Sequence, residues 1–358
     1  MVRTTRAARP VRWRCPGSCM ASAFRLGEKL HPSERGSACF SGQNRKILAV
    51  RRFPLDSGGA SLVSSRLGFK SLCFLEGRDR VDAVDTRLVA SYAVAITFDV
   101  LMPVGMVLWA RRRLGVAWKV VGWGAAAFAL SQLFTRLPMV QVAQYFMRDA
   151  LKTSSVLLGV WIVVLSLTAG LFEETARLWA FRKPLKDFRR WRDAVGFGVG
   201  HGGLESALLV GGLTALGLVN VIALSKLDPS TLPLKPEQVA QVVEAKATIA
   251  ALDWWMPLLG AYERLGSMVV HIALSVVVLQ RFIRGEVKWY WLAVGAHAFF
   301  NALTVVVGKL ATAAWGPQAG AFAGEAMVTV AALVSLWVIL YFRRVDAERD
   351  TAAVPARE

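Results

Sequence analysis

The sequence predicts an all-α polytopic bundle of about seven transmembrane helices, on three observations. Hydrophobic residues make up 55% of the 358 positions, with 13 Trp and a mean hydropathy of +0.44. Such a composition is foreign to most soluble domains and ordinary for a helical membrane protein. Long apolar runs recur from residue 88 onward, each near the roughly 20 residues that a bilayer requires. Basic residues then collect in alternate loops between those runs, as the positive-inside rule demands of a multi-pass protein.

The first 87 residues stand apart. They mix Arg, Ser, Gly and Pro without a sustained period and carry 17 Lys and Arg against 7 Asp and Glu. That composition predicts a disordered basic tail, or a start assigned too early, with the natural start near 81–89. All four cysteines (Cys15, Cys19, Cys39 and Cys73) fall in this stretch, at spacings that match no zinc pattern. Thiol chemistry is therefore excluded from the core. The formal charge of +18 is explained by the tail and the basic loops, so nucleic acid is not an expected partner.

Spans are predicted at 88–110, 118–137, 155–181, 194–224, 253–280, 289–309 and 321–342. The second is the least apolar, because Arg136 sits near its end. Trp109, Trp118, Trp179, Trp254, Trp289 and Trp315 mark span ends, as interfacial aromatics do. One side collects Arg111–Arg113 with Lys119, the run 182–192, the run 281–288, and Arg343 with Arg344. That side is expected to be cytoplasmic, in a bacterial plasma membrane, with the N-terminus outside and a short cytoplasmic tail at 346–358.

Polar residues inside the spans carry the functional signal. A charge at the bilayer centre costs roughly 2.5–3.5 kcal/mol even on insertion scales, which makes such residues functional candidates. Glu173, Glu174 and Arg177 close the third span, and both carboxylates can reach the guanidinium on one helical face. One negative charge is then left over. A Gly-dense stretch in the fourth span carries His201 and, one turn later, Glu205. Its small residues would let neighbouring helices approach closely. His271 lies in the fifth span, and His297 and Asn301 lie one turn apart in the sixth. Glu173, Glu174, His201, His271 and His297 all sit seven to nine residues from a predicted cytoplasmic helix end. At about 1.5 Å per residue this is one layer, roughly 10–14 Å deep.

Such a layer could hydrolyse an amide without a covalent nucleophile. A carboxylate activates water, a His moves the proton, and a second His with an amide stabilises the oxyanion. The same ligand types would satisfy zinc, although no His-Glu-x-x-His motif is present. Of the remaining intramembrane polar groups, Asp99 reads as a packing or gating residue. Glu263 and Arg264 read as a network with Asp99 or Glu205, and Glu325 as a solvated residue near the outer interface.

The Glu173-Glu174-x-x-Arg177, His201-Gly-Gly-x-Glu205 and His297-x-x-x-Asn301 motifs resemble those of the YhfC family of intramembrane peptidases. That family is similar to the wider CAAX-protease and bacteriocin-processing superfamily. The resemblance covers about 88–345 and implies a peptidase domain there with a CAAX-protease-like core. It implies that Glu173 activates water, that His201 assists, and that His297 and Asn301 bind the oxyanion. Arg177, Glu205 and His271 would support them. This chain has two residues between its Glu pair and Arg where many superfamily members have three, so Glu174 stays open as the base. A metal-free mechanism is the favoured expectation, with no cofactor; the alternative is zinc held by Glu173, His201 and His297. The expected partner is a membrane-associated peptide or protein. Two other classes use the same residues: a proton-coupled transporter with the layer as relay, and a haem protein with His pairs as axial ligands. The transporter would favour internal repeats, which the sequence lacks.

Overall fold

A computed structural model describes residues 85–231 and 233–352. The tail to residue 84, with its four cysteines, and residues 353–358 lie outside the described residues. Every regular element among the described residues is helical.

The chain enters helix α1 (Thr86–Leu114) through Asp85, whose carboxylate accepts the Arg87 N–H at 2.9 Å. Gly115 ends it at φ 68, a left-handed position that glycine occupies without strain. Helix α2 (Trp118–Phe128) runs through a π-helical segment (Ala129–Arg136) into α3 (Leu137–Thr153) without a break. Ser154 caps α4 (Ser155–Arg182), accepting from the Leu157 N–H. Helix α5 (Trp191–Leu204) likewise passes through a π segment (Glu205–Val210) into α6 (Gly211–Lys226). Helices α7 (Pro236–Ala250), α8 (Met256–Ile283), α9 (Lys288–Trp315) and α10 (Pro317–Ala352) complete the bundle. Parts of the chain left between the predicted spans are helical as well, in α3 and α7.

Among the described residues, six helices are long and apolar enough to cross a membrane: α1, α4, the α5–α6 unit, α8, α9 and α10. The second predicted span is not among them, yet packing requires it to traverse the bundle. Ala110, Val116, Phe181, Leu185, Ala194, Leu279, Ala293 and Phe342 form one apolar cluster. It joins the C-terminal ends of α1, α4, α8 and α10 to the N-terminal ends of α2, α5 and α9. The chain therefore leaves this end through α2 and must reach the opposite end before α4 begins. The reduced hydropathy of this stretch has an inward cause. Arg136 donates to the Leu165 carbonyl at 2.6 Å, to Thr168 Oγ1 at 3.2 Å and to Gln132 Oε1 at 3.0 Å. Its charge is thereby turned away from lipid and onto α4.

Cations ring the end where the apolar cluster sits. Arg111 lies over Trp118, Arg189 over Phe282, Arg343 over Trp191, and Arg284 over both Trp289 and Phe342. Guanidinium–ring contacts of this kind hold a charge at an apolar boundary. The basic loops read from the sequence thus share one end of the fold, called the basic end below. Past it, α10 continues to Ala352 and Asp346 accepts from Gln280 Nε2 at 3.0 Å.

Glycines set how closely α5 is gripped. A methyl on Gly200 would meet the backbone of Val121, and one on Gly124 the backbone of Phe197. On the other face, a methyl on Gly198 would lie 2.5 Å from the Ile272 Cα. The Gly-dense stretch therefore seats α5 against α2 and α8, and places His201 within hydrogen-bond distance of Glu173 on α4. Overpacking of this kind costs about 1–3 kcal/mol, so Gly200→Ala should lower stability to unfolding in detergent by that amount. Gly159→Ala, in α4 with open space around it, should instead be neutral or stabilising by up to about 1 kcal/mol.

Candidate active site

Helix α4 brings three charges to the middle of the bundle one turn apart. Glu173 is 5% exposed, and Glu174 and Arg177 are fully buried. Arg177 pairs with both carboxylates: with Glu174 directly, and with Glu173 Oε2 at 3.5 Å. One guanidinium for two carboxylates leaves the surplus negative charge that the sequence implied. Three imidazoles from three other helices surround it.

His201 on α5 donates from Nε2 to Glu173 Oε2 at 2.9 Å. Phe128 meets the edge of its ring at 5.4 Å between centroids, and Phe197 stacks at 6.3 Å. The Nδ1 atom of His201 is buried without a hydrogen-bond partner. His271 on α8 lies 2.6 Å from Arg177 Nη2 through Nδ1. A guanidinium has no acceptor, so this Nδ1 is the accepting nitrogen and the proton of a neutral ring sits on Nε2. That Nε2 faces Glu205 Oε2 at 2.6 Å. His297 on α9 donates from Nδ1 to Glu174 Oε1 at 2.8 Å, and its Nε2 lies 3.8 Å from Glu173 Oε1.

Every ionisable residue of the predicted layer therefore converges, with α8 brought close by the glycines. A methyl on Gly202 would lie 3.2 Å from His271 Cδ2. Asn301, one turn beyond His297, is exposed and lines the cavity that adjoins the layer. The cavity measures about 390 Å³ and is also lined by Glu173, Glu205, His271 and His297.

Three details differ from the sequence reading. The buried group whose ligand atoms lie within 4.8 Å of one another is Glu173, His201 and His271. That group includes His271 where the zinc alternative named His297, which is hydrogen-bonded to Glu174 through Nδ1 and keeps its Nε2 3.8 Å from Glu173 Oε1. Glu325 was expected to be solvated; its Oε2 is buried without a hydrogen-bond partner. The third detail is an omission. Gln132 donates from Nε2 to Glu173 Oε1 at 2.6 Å, while its own Oε1 accepts from Arg136. The available signal was a Gln and an Arg four apart within an apolar run, at the spacing that pairs on one helix face. Both lie on the π segment after α2, and Glu205 opens the other one. Single π turns of this kind gather at functional sites. As expected, Arg264 pairs with Glu205 at 3.0 Å and also with Glu263.

Chemically, the arrangement offers a buried carboxylate among imidazoles at the edge of a cavity. That suits proton transfer to and from water. The donor types also fit a divalent cation: one carboxylate and two imidazoles, all buried, have ligand atoms close to one another.

Comparison with known proteins places the chain in a family. An uncharacterized membrane protein YhfC of Bacillus subtilis (strain 168) is 27% identical over 265 residues, covering 73% of this chain and 99% of that protein. No solved structure matches. The family described as YhfC intramembrane metalloprotease matches residues 98–315, which contain every residue of the buried layer. The chain belongs to that family.

Proposed function

We propose that this chain is an intramembrane endopeptidase that hydrolyses peptide bonds at the Glu173–His201–His271–His297 layer. The observation that carries the reading is a buried carboxylate, Glu173, set among three imidazoles at the edge of a cavity. Glu174 is engaged by Arg177 and His297 and is sealed from that cavity. The role of base therefore falls to Glu173, which lines it. His201 shares a hydrogen bond with that carboxylate and is placed to hold or pass on the proton. His297 and Asn301, both on the cavity wall, are the donors assigned to the oxyanion. Gln132 fixes the Glu173 carboxylate through Oε1, which leaves Oε2 toward His201. The basic end is assigned to the cytoplasm by the positive-inside rule, and the substrate is a membrane-embedded peptide segment.

Glu173, His201 and His271 would hold a divalent cation such as Zn²⁺. When bound, such an ion supplies Lewis acidity to a carbonyl and lowers the pKa of water. The family description, the close approach of these donors and the surplus negative charge on α4 support this reading over the metal-free one that the motifs first favoured. One observation favours the metal-free reading: Arg177 already engages the His271 Nδ1 lone pair.

Comparing new protein N-termini in membranes that express wild type or Glu173→Ala tests the activity. Specific cleavage products should fall about 10²–10⁴-fold in the variant at equal expression; identical profiles would sink the peptidase reading. Metal analysis of the purified protein separates the two mechanisms. The metal reading expects stoichiometric zinc, lost together with activity in a chelator and in His271→Ala. Full activity of a metal-free preparation would establish the Glu173 mechanism alone. In either case Gln132→Leu should lower kcat about 10–100-fold with little change in KM, as loss of an orienting group does, and Gln132→Glu should not restore it.

A further inference from the structure

We propose that the cavity is loaded from the end of the bundle opposite the basic end, and that its occupant is an unwound, membrane-embedded peptide segment. The identity of the occupant rests on the peptidase reading; the direction of loading does not.

The direction follows from how the cavity wall runs along each helix. Helix α9 starts at the basic end, and its lining residues proceed from His297 through Asn301 to Thr304 and Val305, away from that end. Helix α4 runs the opposite way, and its lining residues proceed from Glu173 back to Ala169 and Leu165, again away from it. At about 1.5 Å per residue the cavity extends roughly 12 Å past the buried layer in that direction. On α9 exposure goes from 5% at His297 to 42% at Val305, while Ala169 and Ser166 on the facing wall of α4 stay buried. Toward the basic end the layer is closed instead. Arg177, Phe181, Phe197 and Leu279 are all fully buried there, and they form a floor with no passage for a chain. The site thus lies nearer the basic end and opens toward the other.

The occupant follows from the lining. Extended backbone inside a bilayer must find hydrogen-bond partners, and the walls supply them in Gln132, Arg136, Asn301 and Thr304 between apolar Phe128 and Phe300. A water-soluble peptide arriving at the basic end has no route to Glu173.

Thiol labelling tests this without requiring activity. The full chain, with Cys15, Cys19, Cys39 and Cys73 replaced by Ser, receives single cysteines at Thr304 in the cavity, Lys186 at the basic end or Gln318 at the opposite end. A membrane-impermeant methanethiosulfonate reagent is applied to sealed membranes of each orientation, and the mass shift of the chain is read. Thr304→Cys should be labelled only from the side that labels Gln318→Cys, and Lys186→Cys only from the other. Val328→Cys, on the cavity wall of α10, gives the same reading if Thr304→Cys fails to fold. Cavity labelling from the Lys186 side, or from neither side, overturns the proposal. The control positions report orientation, and the N-terminus comparison reports activity, so failure of either of those readings is seen separately.

Discussion

The rest of this structure depends on one constraint: two adjacent carboxylates are held in a place where water is scarce. Burying an isolated carboxylate is prohibitive, and a buried pair survives only when each charge is matched and hydrogen-bonded. Helix α4 alone supplies one matching charge, Arg177. The remaining partners must come from elsewhere, and they do: Gln132, His201, His271 and His297, each from a different helix. Removing one partner of such a buried pair typically costs about 3–5 kcal/mol. The network is therefore a condition for the packing as well as the proposed reactive centre.

The architecture serves that convergence. Side chains as short as Glu and His meet only if the backbones that carry them come close. Gly124, Gly198, Gly200 and Gly202 remove the Cβ atoms that would prevent this. The two π segments act in the same sense at the cavity wall, turning Gln132 and Glu205 to the interior within otherwise unbroken helices. Around the basic end, guanidinium groups over aromatic rings fix the helix ends. The floor beneath the buried layer is then Arg177 with the buried apolar side chains Phe181, Phe197 and Leu279.

How much of this was legible in the sequence depends on the range of the interaction concerned. The spans and the shared depth of Glu173, His201, His271 and His297 could be read because hydropathy and the helical rise act along the chain. The rotation of each helix could not. His271 stood in a supporting place because nothing in the sequence states that Gly198 and Gly202 face α8. Gln132 was passed over because a single amide within an apolar run is only weakly polar by composition; its value lies in the carboxylate 2.6 Å away on another helix. Arg136 was read as a defect in a span. Its three contacts show that the same polarity faces inward. Glu325 was placed in water by its position near a helix end, where packing of neighbouring helices has in fact buried one of its oxygens.

The closed floor and the open far side also bear on how peptide hydrolysis could proceed within a membrane. Both water and an unwound peptide must reach Glu173, yet lipid supplies neither water nor backbone hydrogen bonds. In the proposed direction of loading, a cavity that runs away from the layer would let both arrive by one path. The sealed side keeps Arg177 and Glu174 dehydrated, where their pairing is strongest. Glu174 is therefore better suited to hold His297 and Arg177 in place than to meet water, and Glu173 to do the reverse. Two neighbouring residues of the same type are given different environments by the burial gradient that crosses them, and that difference divides their roles in the proposed chemistry.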